Sequence, residues 1–158
     1  MHSSSNIQKG RPSVETAFIN LAKNKTRNIP GIKGTGIAAA FSDAVRVDHA
    51  DHFVLYISGK LATDEDGNIV GRTMAEQAER ALQNIKEILE QQGAGMQHIV
   101  RTLIFVTQID AQSLREIHEV RARFFKDGRF PASTLVRTSQ LVRDGGLIEI
   151  EAEAVVPR

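Results

Sequence analysis

Residues 129–141, RFPASTLVRTSQL, carry the densest set of side chains able to handle a small polar molecule. Ser133, Thr134, Thr138 and Ser139 supply hydroxyls that donate and accept hydrogen bonds, and Arg137 supplies a permanently charged fork of donors. Pro131 opens the stretch, so it reads as a turn running into a strand. On a strand, Ser133, Leu135, Arg137 and Ser139 share one face while Thr134, Val136 and Thr138 share the other. Such a strand either lines a cleft or is one ordinary member of a sheet. In LIEIEAEAVV, Glu149, Glu151 and Glu153 alternate with Ile148, Ile150, Ala152 and Ala154, which by itself reads as a solvated face opposite a core face.

Other groups with chemical potential lack the required spacing. His49 and His52 in HADH are three apart in a turn, without the helical i, i+4 placement or the third ligand of a zinc site. GIKGTG (31–36) has the glycines of a phosphate loop but neither its Lys-Ser/Thr ending nor a following helix. No Ser/His/Asp order suggests a triad, and cysteine is absent, which rules out disulfides and thiolate metal sites. His118 reads as a helix-flank residue. No metal and no cofactor are implied.

A chain of 158 residues, 41% apolar and 25% charged, fits one globular domain. Charge is unevenly distributed. Residues 1–33 hold six Lys/Arg (Lys9, Arg11, Lys23, Lys25, Arg27, Lys33) against Glu15 alone, so the chain's other 14 basic and 18 acidic residues leave a body of net −4. That balance disfavours nucleic acid as a partner of the body, because phosphate neutralisation supplies most non-specific affinity. No apolar run approaches a membrane span. A cytoplasmic location is expected, with a mitochondrial one open if the source is eukaryotic, since the arm is basic, Ser-containing and poor in acids. Residues 1–35 are read as an extension and 36–158 as the domain. Within the extension, Val14, Ala17, Phe18 and Leu21 recur at helical spacing and predict a short docked helix.

The elements that must position any site follow from pattern. FSDAVRV (41–47) and HFVLYISG (52–59) flank a turn and predict an antiparallel hairpin. Thr73 with Glu76 forms a capping box for a helix whose stripe is Ala78, Leu82, Ile85 and Leu89, and Gly93 ends it. HIVRTLIFVTQI (98–109) predicts a strand covered on both faces. Asp110 caps a second helix facing inward with Leu114, Ile117, Val120 and Phe124. The strand at 132 and LIEIEAEAVV complete the order ββαβαββ. This is an α+β sandwich with two helices on one face of a sheet. The uncovered face, expected to carry Leu135 and Val155, either meets water or is closed by another subunit.

SGK at 58–60, NIKEILEQQGAG at 84–95, IVRTLIFVTQI, Phe124-Phe125, Pro131-Ala132 and LIEIEAEAVV together resemble the RidA/YjgF/UK114 family of enamine and imine deaminases, over roughly residues 40–156. The resemblance implies a chorismate-mutase-like fold and a homotrimer with small-molecule sites in clefts between subunits. Deaminating members read Pro-Ala-Arg, the Arg pairing with a substrate carboxylate, where this chain reads Pro131-Ala132-Ser133. Losing charge-assisted bonds of about 1.5–3 kcal/mol each weakens carboxylate binding about ten- to a hundred-fold or more. The chain is more similar to members reading Pro-Ala-Thr-Thr, with an aromatic residue and Ser before Ala-Val-Arg-Val; Phe41, Ser42 and Val45-Arg46-Val47 are the counterparts.

By this resemblance Glu149 matches a carboxylate that orients or deprotonates water, set against its reading as one of three solvated glutamates. Ser58 and Gly59 bind polar groups at the cleft, Gly59 by letting backbone approach a ligand. Lys60 either replaces the missing Arg as a point charge or is simply solvated. Ser133 and Leu135 shape the pocket. Arg137 either extends the cleft or pairs with Glu149 or Glu151 across the sheet. Phe41, Phe125 and Phe130 either wall the pocket or belong to the core. The implied function is binding of a small metabolite with hydrolysis of an imine or enamine; the alternative is a non-catalytic ligand-binding or chaperone-like trimer.

Overall fold

The computed structural model describes residues 14–21 and 40–158. The elements are β1 (Glu15–Ile19), β2 (Ala44–Asp48), β3 (His52–Leu61), α1 (Met74–Gln91), β4 (Ile99–Val106), α2 (Ala111–Phe124), β5 (Ala132–Arg137) and β6 (Ile148–Pro157). They form one six-stranded sheet in the order β1-β2-β3-β6-β4-β5. All neighbours are antiparallel except β4 and β5, which α2 connects as a parallel crossover. The predicted ββαβαββ order is present from β2 onward. The GIKGTG segment and the 35/36 boundary lie outside the described residues.

One predicted helix is a strand. Ala17 and Ile19 face the helix side and Thr16 and Phe18 the other, and β1 pairs with β2 from Glu15↔Asp48 to Ile19↔Ala44. The 3–4 spacing of Val14, Ala17, Phe18 and Leu21 is too short a pattern to sustain a helix, because a lone helix of two turns is marginal in water. A strand there satisfies the backbone groups that the edge of β2 would otherwise leave free.

The α1 box forms as its residue types require: the Thr73 hydroxyl accepts from Glu76 N at 3.2 Å and the Glu76 carboxylate accepts from Thr73 N at 3.1 Å. The backbone N–H groups of Arg72 and Thr73 hold the Glu76 carboxyl below its ordinary range. Gly93 adopts φ 70° at the helix exit. At α2, Asp110 accepts from Ser113 N at 2.8 Å while the Ser113 hydroxyl accepts from Asp110 N at 2.9 Å. Glu116 of α2 reaches across to accept from Ala75 N at 3.0 Å, so one helix supplies a partner to the free donors of the other.

The core lies between the helices and one sheet face. Ala78, Ala81, Leu82, Ile85, Ile88 and Leu89 of α1 bury against Ile148, Ile150, Ala152 and Ala154 of β6. Buried Gln77 ties this layer to two loops, donating to Gly71 O and Gly145 O and accepting from Leu147 N. Leu82→Ala in this packed layer is expected to cost about 2–5 kcal/mol, read as a lower urea midpoint with an unchanged slope.

The other sheet face has no helix. Across it run Phe18, Val45 and Tyr56, then Val54 beside Val155, then Leu103 and Phe105, with Glu149, Glu151 and Glu153 along β6. Phe18, Tyr56, Val136 and Val155 are exposed there. Leu135 is not on this face: it aligns with Ile104 and Ile150 and packs against the core under the helices. The expectation that it joins Val155 fails because β5 pairs with β4 in a register that turns Thr134 and Val136 outward.

Candidate functional site

The site grows from an irregularity in β3. Ile57 pairs with Ala152 and Lys60 with Ile150, so β3 spends one extra residue between them and bulges at Ser58-Gly59. The bulge presents the bare Cα of Gly59 to Glu149. A Cβ there would stand 2.1 Å from Glu149 Oε1 and 2.9 Å from its Cδ, so the carboxylate occupies the space that any side chain at 59 would need. Ser58 lies beside it, its hydroxyl donating to Ser42 O at 2.7 Å and its N–H to Asp43 O at 3.0 Å. The Ser58 oxygen keeps lone pairs free to accept. Phe41, 59% exposed, immediately precedes Ser42. Ser58, Gly59, Glu149 and the Phe41-Ser42 turn are thus brought together within one chain.

Glu149 is half-buried, and burial pushes its carboxyl above the ordinary range; the charge of Glu151 adds to the rise and Lys60 partly opposes it. Within the chain Glu149 is therefore only partly open to solvent. A half-buried carboxylate with a raised pKa is a competent general base for a bound water.

Lys60 is neither a free point charge nor solvated. It turns to the face of Ile150, and its ammonium donates to Asp43, with 12% and 6% of the two side chains exposed. Asp43 also accepts from Leu21 N at 2.9 Å, tying the segment after β1 to the bulge. Sequence reasoning missed Asp43, since it falls inside FSDAVRV (41–47), which reads simply as one arm of the hairpin. The usable signal was the hairpin register, because Ala44↔Ile57 forces residue 43 next to residue 58.

Ser133, Leu135 and Arg137 are not brought to Glu149 within the chain. Ser133 aligns with Thr102 on the helix-covered face, its hydroxyl accepting from Thr102 Oγ1 at 3.1 Å, whereas Glu149 lies on the opposite face. Arg137 donates from Nε to Thr107 O at 3.3 Å and pairs with neither Glu149 nor Glu151, because β4 intervenes between β5 and β6. Phe125 is core and Phe130 is exposed next to Pro131. The His49 and His52 rings stack at 4.5 Å, and His52 Nδ1 lies 2.6 Å from Asp51 Oδ1. No helix among the described residues is long and apolar enough to cross a membrane.

Comparison with known proteins gives the family. The family model described as Endoribonuclease L-PSP matches residues 34–156. The human 2-iminobutanoate/2-iminopropanoate deaminase is 33% identical over 130 residues, covering 82% of this chain and 89% of the relative. A Mycobacterium tuberculosis member of the YjgF/YER057c/UK114 family superposes with a TM-score of 0.67 at 27% identity, over 90% of this chain and all of that one. A Pseudomonas aeruginosa protein of unknown function superposes at 0.71 with 28% identity, over 91% and 94% of the two chains. Since the matches run through every element from β2 to β6 and through the bulge that seats Glu149, the chain belongs to the RidA/YjgF/UK114 family.

Proposed function

We propose that this protein binds a small metabolite in a cleft between subunits of a homotrimer and hydrolyses an imine or enamine there. The observation that carries the reading is the half-buried Glu149 carboxylate seated on Gly59 beside Ser58. Its relatives include imine deaminases, such as the human protein.

In the proposed step, Glu149 takes a proton from water as the water oxygen bonds to the imine carbon, and the C=N electron pair moves to nitrogen. Glu149 returns the proton to nitrogen, giving a protonated carbinolamine when the substrate enters as its iminium. The C–N bond then breaks with its pair to nitrogen as the hydroxyl oxygen closes the C=O bond and gives its proton to the Glu149 carboxylate, and a carbonyl compound and ammonia leave. Ser58 accepts a hydrogen bond from the substrate, and the exposed residue Phe41 covers its apolar part. The helix-free face, with exposed Phe18, Tyr56, Val136 and Val155, is the surface a neighbouring subunit would cover. Ser133 and the β5 edge could reach a Glu149 only from such a neighbour. Cleavage of RNA is less supported, because residues 34–158 carry a net charge of −4.

Imines generated enzymatically in the presence of the protein should release ammonia faster than they decay unaided, and sedimentation should give three times the chain mass. A monomer, or release at the unaided rate across a panel of imines, would refute the reading.

A further inference from the structure

The charges around the bulge are unevenly committed. The family resemblance assigns carboxylate binding to an arginine, and this chain has Ser133 at that position, on the far face of the sheet from Glu149. Lys60, the cation nearest in sequence to the bulge, has a charge that reaches Glu149 but is committed to buried Asp43. The cation on the helix-free face beside β6, Arg101, pairs with Glu153 at 2.6 Å. Glu149 is flanked along β6 by Glu151 on the same face, while Phe105 on β4 and Val136 on β5 bring no charge. Two carboxylates, Glu149 and Glu151, thus share one face of β6, and the cations Lys60 and Arg101 beside them are each committed to an acid, Asp43 and Glu153.

Resting on the imine-hydrolase reading, we propose that the site takes a substrate without a carboxylate whose reacting nitrogen is protonated, an iminium derived from a simple amine, and rejects imino acids. A cation approaching Glu149 gains from both glutamates in a half-buried setting where water screens poorly. An anion meets the same pair as repulsion, with no guanidinium to offset its lost hydration. Asp43 is the positioning residue for this preference, because it engages the Lys60 ammonium in a buried pair.

Two matched pairs test it, each differing by one carboxylate. Propan-1-imine, made by amine oxidation, is compared with 2-iminobutanoate as substrate; propylammonium is compared with 2-aminobutanoate as ligand, read from the carbon-13 signal of the Glu149 carboxyl. The full-length wild-type protein should favour the carboxylate-free member of each pair by about tenfold or more, the scale of one unbalanced charge contact. Equal or tighter binding of 2-aminobutanoate, faster turnover of 2-iminobutanoate, or no response of Glu149 to either ligand overturns the inference. If propylammonium binds preferentially but neither imine is hydrolysed, the preference stands and the hydrolase reading falls. Asp43→Asn, where it folds, should narrow the preference by releasing Lys60; an unchanged preference in a folded Asp43→Asn protein removes Asp43 from its control.

Discussion

Glu149→Gln is expected to lower kcat/KM for imine hydrolysis by about 10²–10⁴-fold, the usual contribution of a positioned general base. Gln fills the same space over Gly59 but cannot take a proton from water. The loss should appear mainly in kcat, since proton transfer belongs to the transition state rather than to ground-state binding. Wild-type rates should fall on acidification through a midpoint above the ordinary glutamate value, because burial and Glu151 raise the Glu149 pKa and only the ionised form acts as base. Equal rates for wild type and variant would remove Glu149 from the mechanism.

The same substitution has a stability signature of opposite sign. Glu149 binds its proton more tightly folded than unfolded, so wild-type stability falls as pH rises from the unfolded pKa through the folded one. Below the unfolded pKa both forms carry a neutral side chain and should unfold at similar urea concentrations. At neutral pH the wild type bears the cost of a half-buried charge beside Glu151, and Glu149→Gln should be the more stable protein. Urea midpoints at about pH 3.5 and about pH 7.5, on either side of the usual carboxylate range, separate the cases. A variant less stable than wild type at the higher pH would show that Glu149 is stabilised by interactions beyond those seen here.

Gly59→Ala is the second large effect, expected to cost about 10²-fold in activity with little change in stability. The new methyl would overlap Glu149 Oε1 and Cδ, at 2.1 and 2.9 Å, and the carboxylate must swing away. Displacing a catalytic group by about 1 Å is enough for a loss of that size. The obstructed atoms belong to a side chain rather than to backbone, so the sheet need not move and the stability change should stay within about 1 kcal/mol. In a Glu149→Gln background the same methyl should remove little further activity, because both changes act through one carboxylate. Full additivity of the two losses would separate Gly59 from Glu149.

Much of the fold was legible in the residues themselves. The Thr73–Glu76 box, the α1 stripe, the Asp110 cap and the alternation of β6 are local patterns, each settled within a few residues by backbone hydrogen-bonding demand and side-chain period. Their order was enough for the α+β class, and the resemblance singled out Glu149, Ser58 and Gly59. The N-terminal strand was not legible, because β1 is a strand by virtue of pairing with β2 and its five residues fit a helical spacing equally well.

Local pattern settles which segments are helices or strands from β2 onward, and that one face of β6 is apolar and the other acidic. Long-range packing settles who meets whom. The register of β5 on β4 turns Leu135 and Ser133 away from the face of Glu149, and β4, lying between β5 and β6, keeps Arg137 from the β6 glutamates. The single extra residue at Ser58-Gly59 seats Glu149 on bare backbone and sends Lys60 to Asp43. The period of a strand says that neighbouring residues part to opposite faces, but the register between distant strands, fixed by the packing of the whole sheet, says which face and which partner.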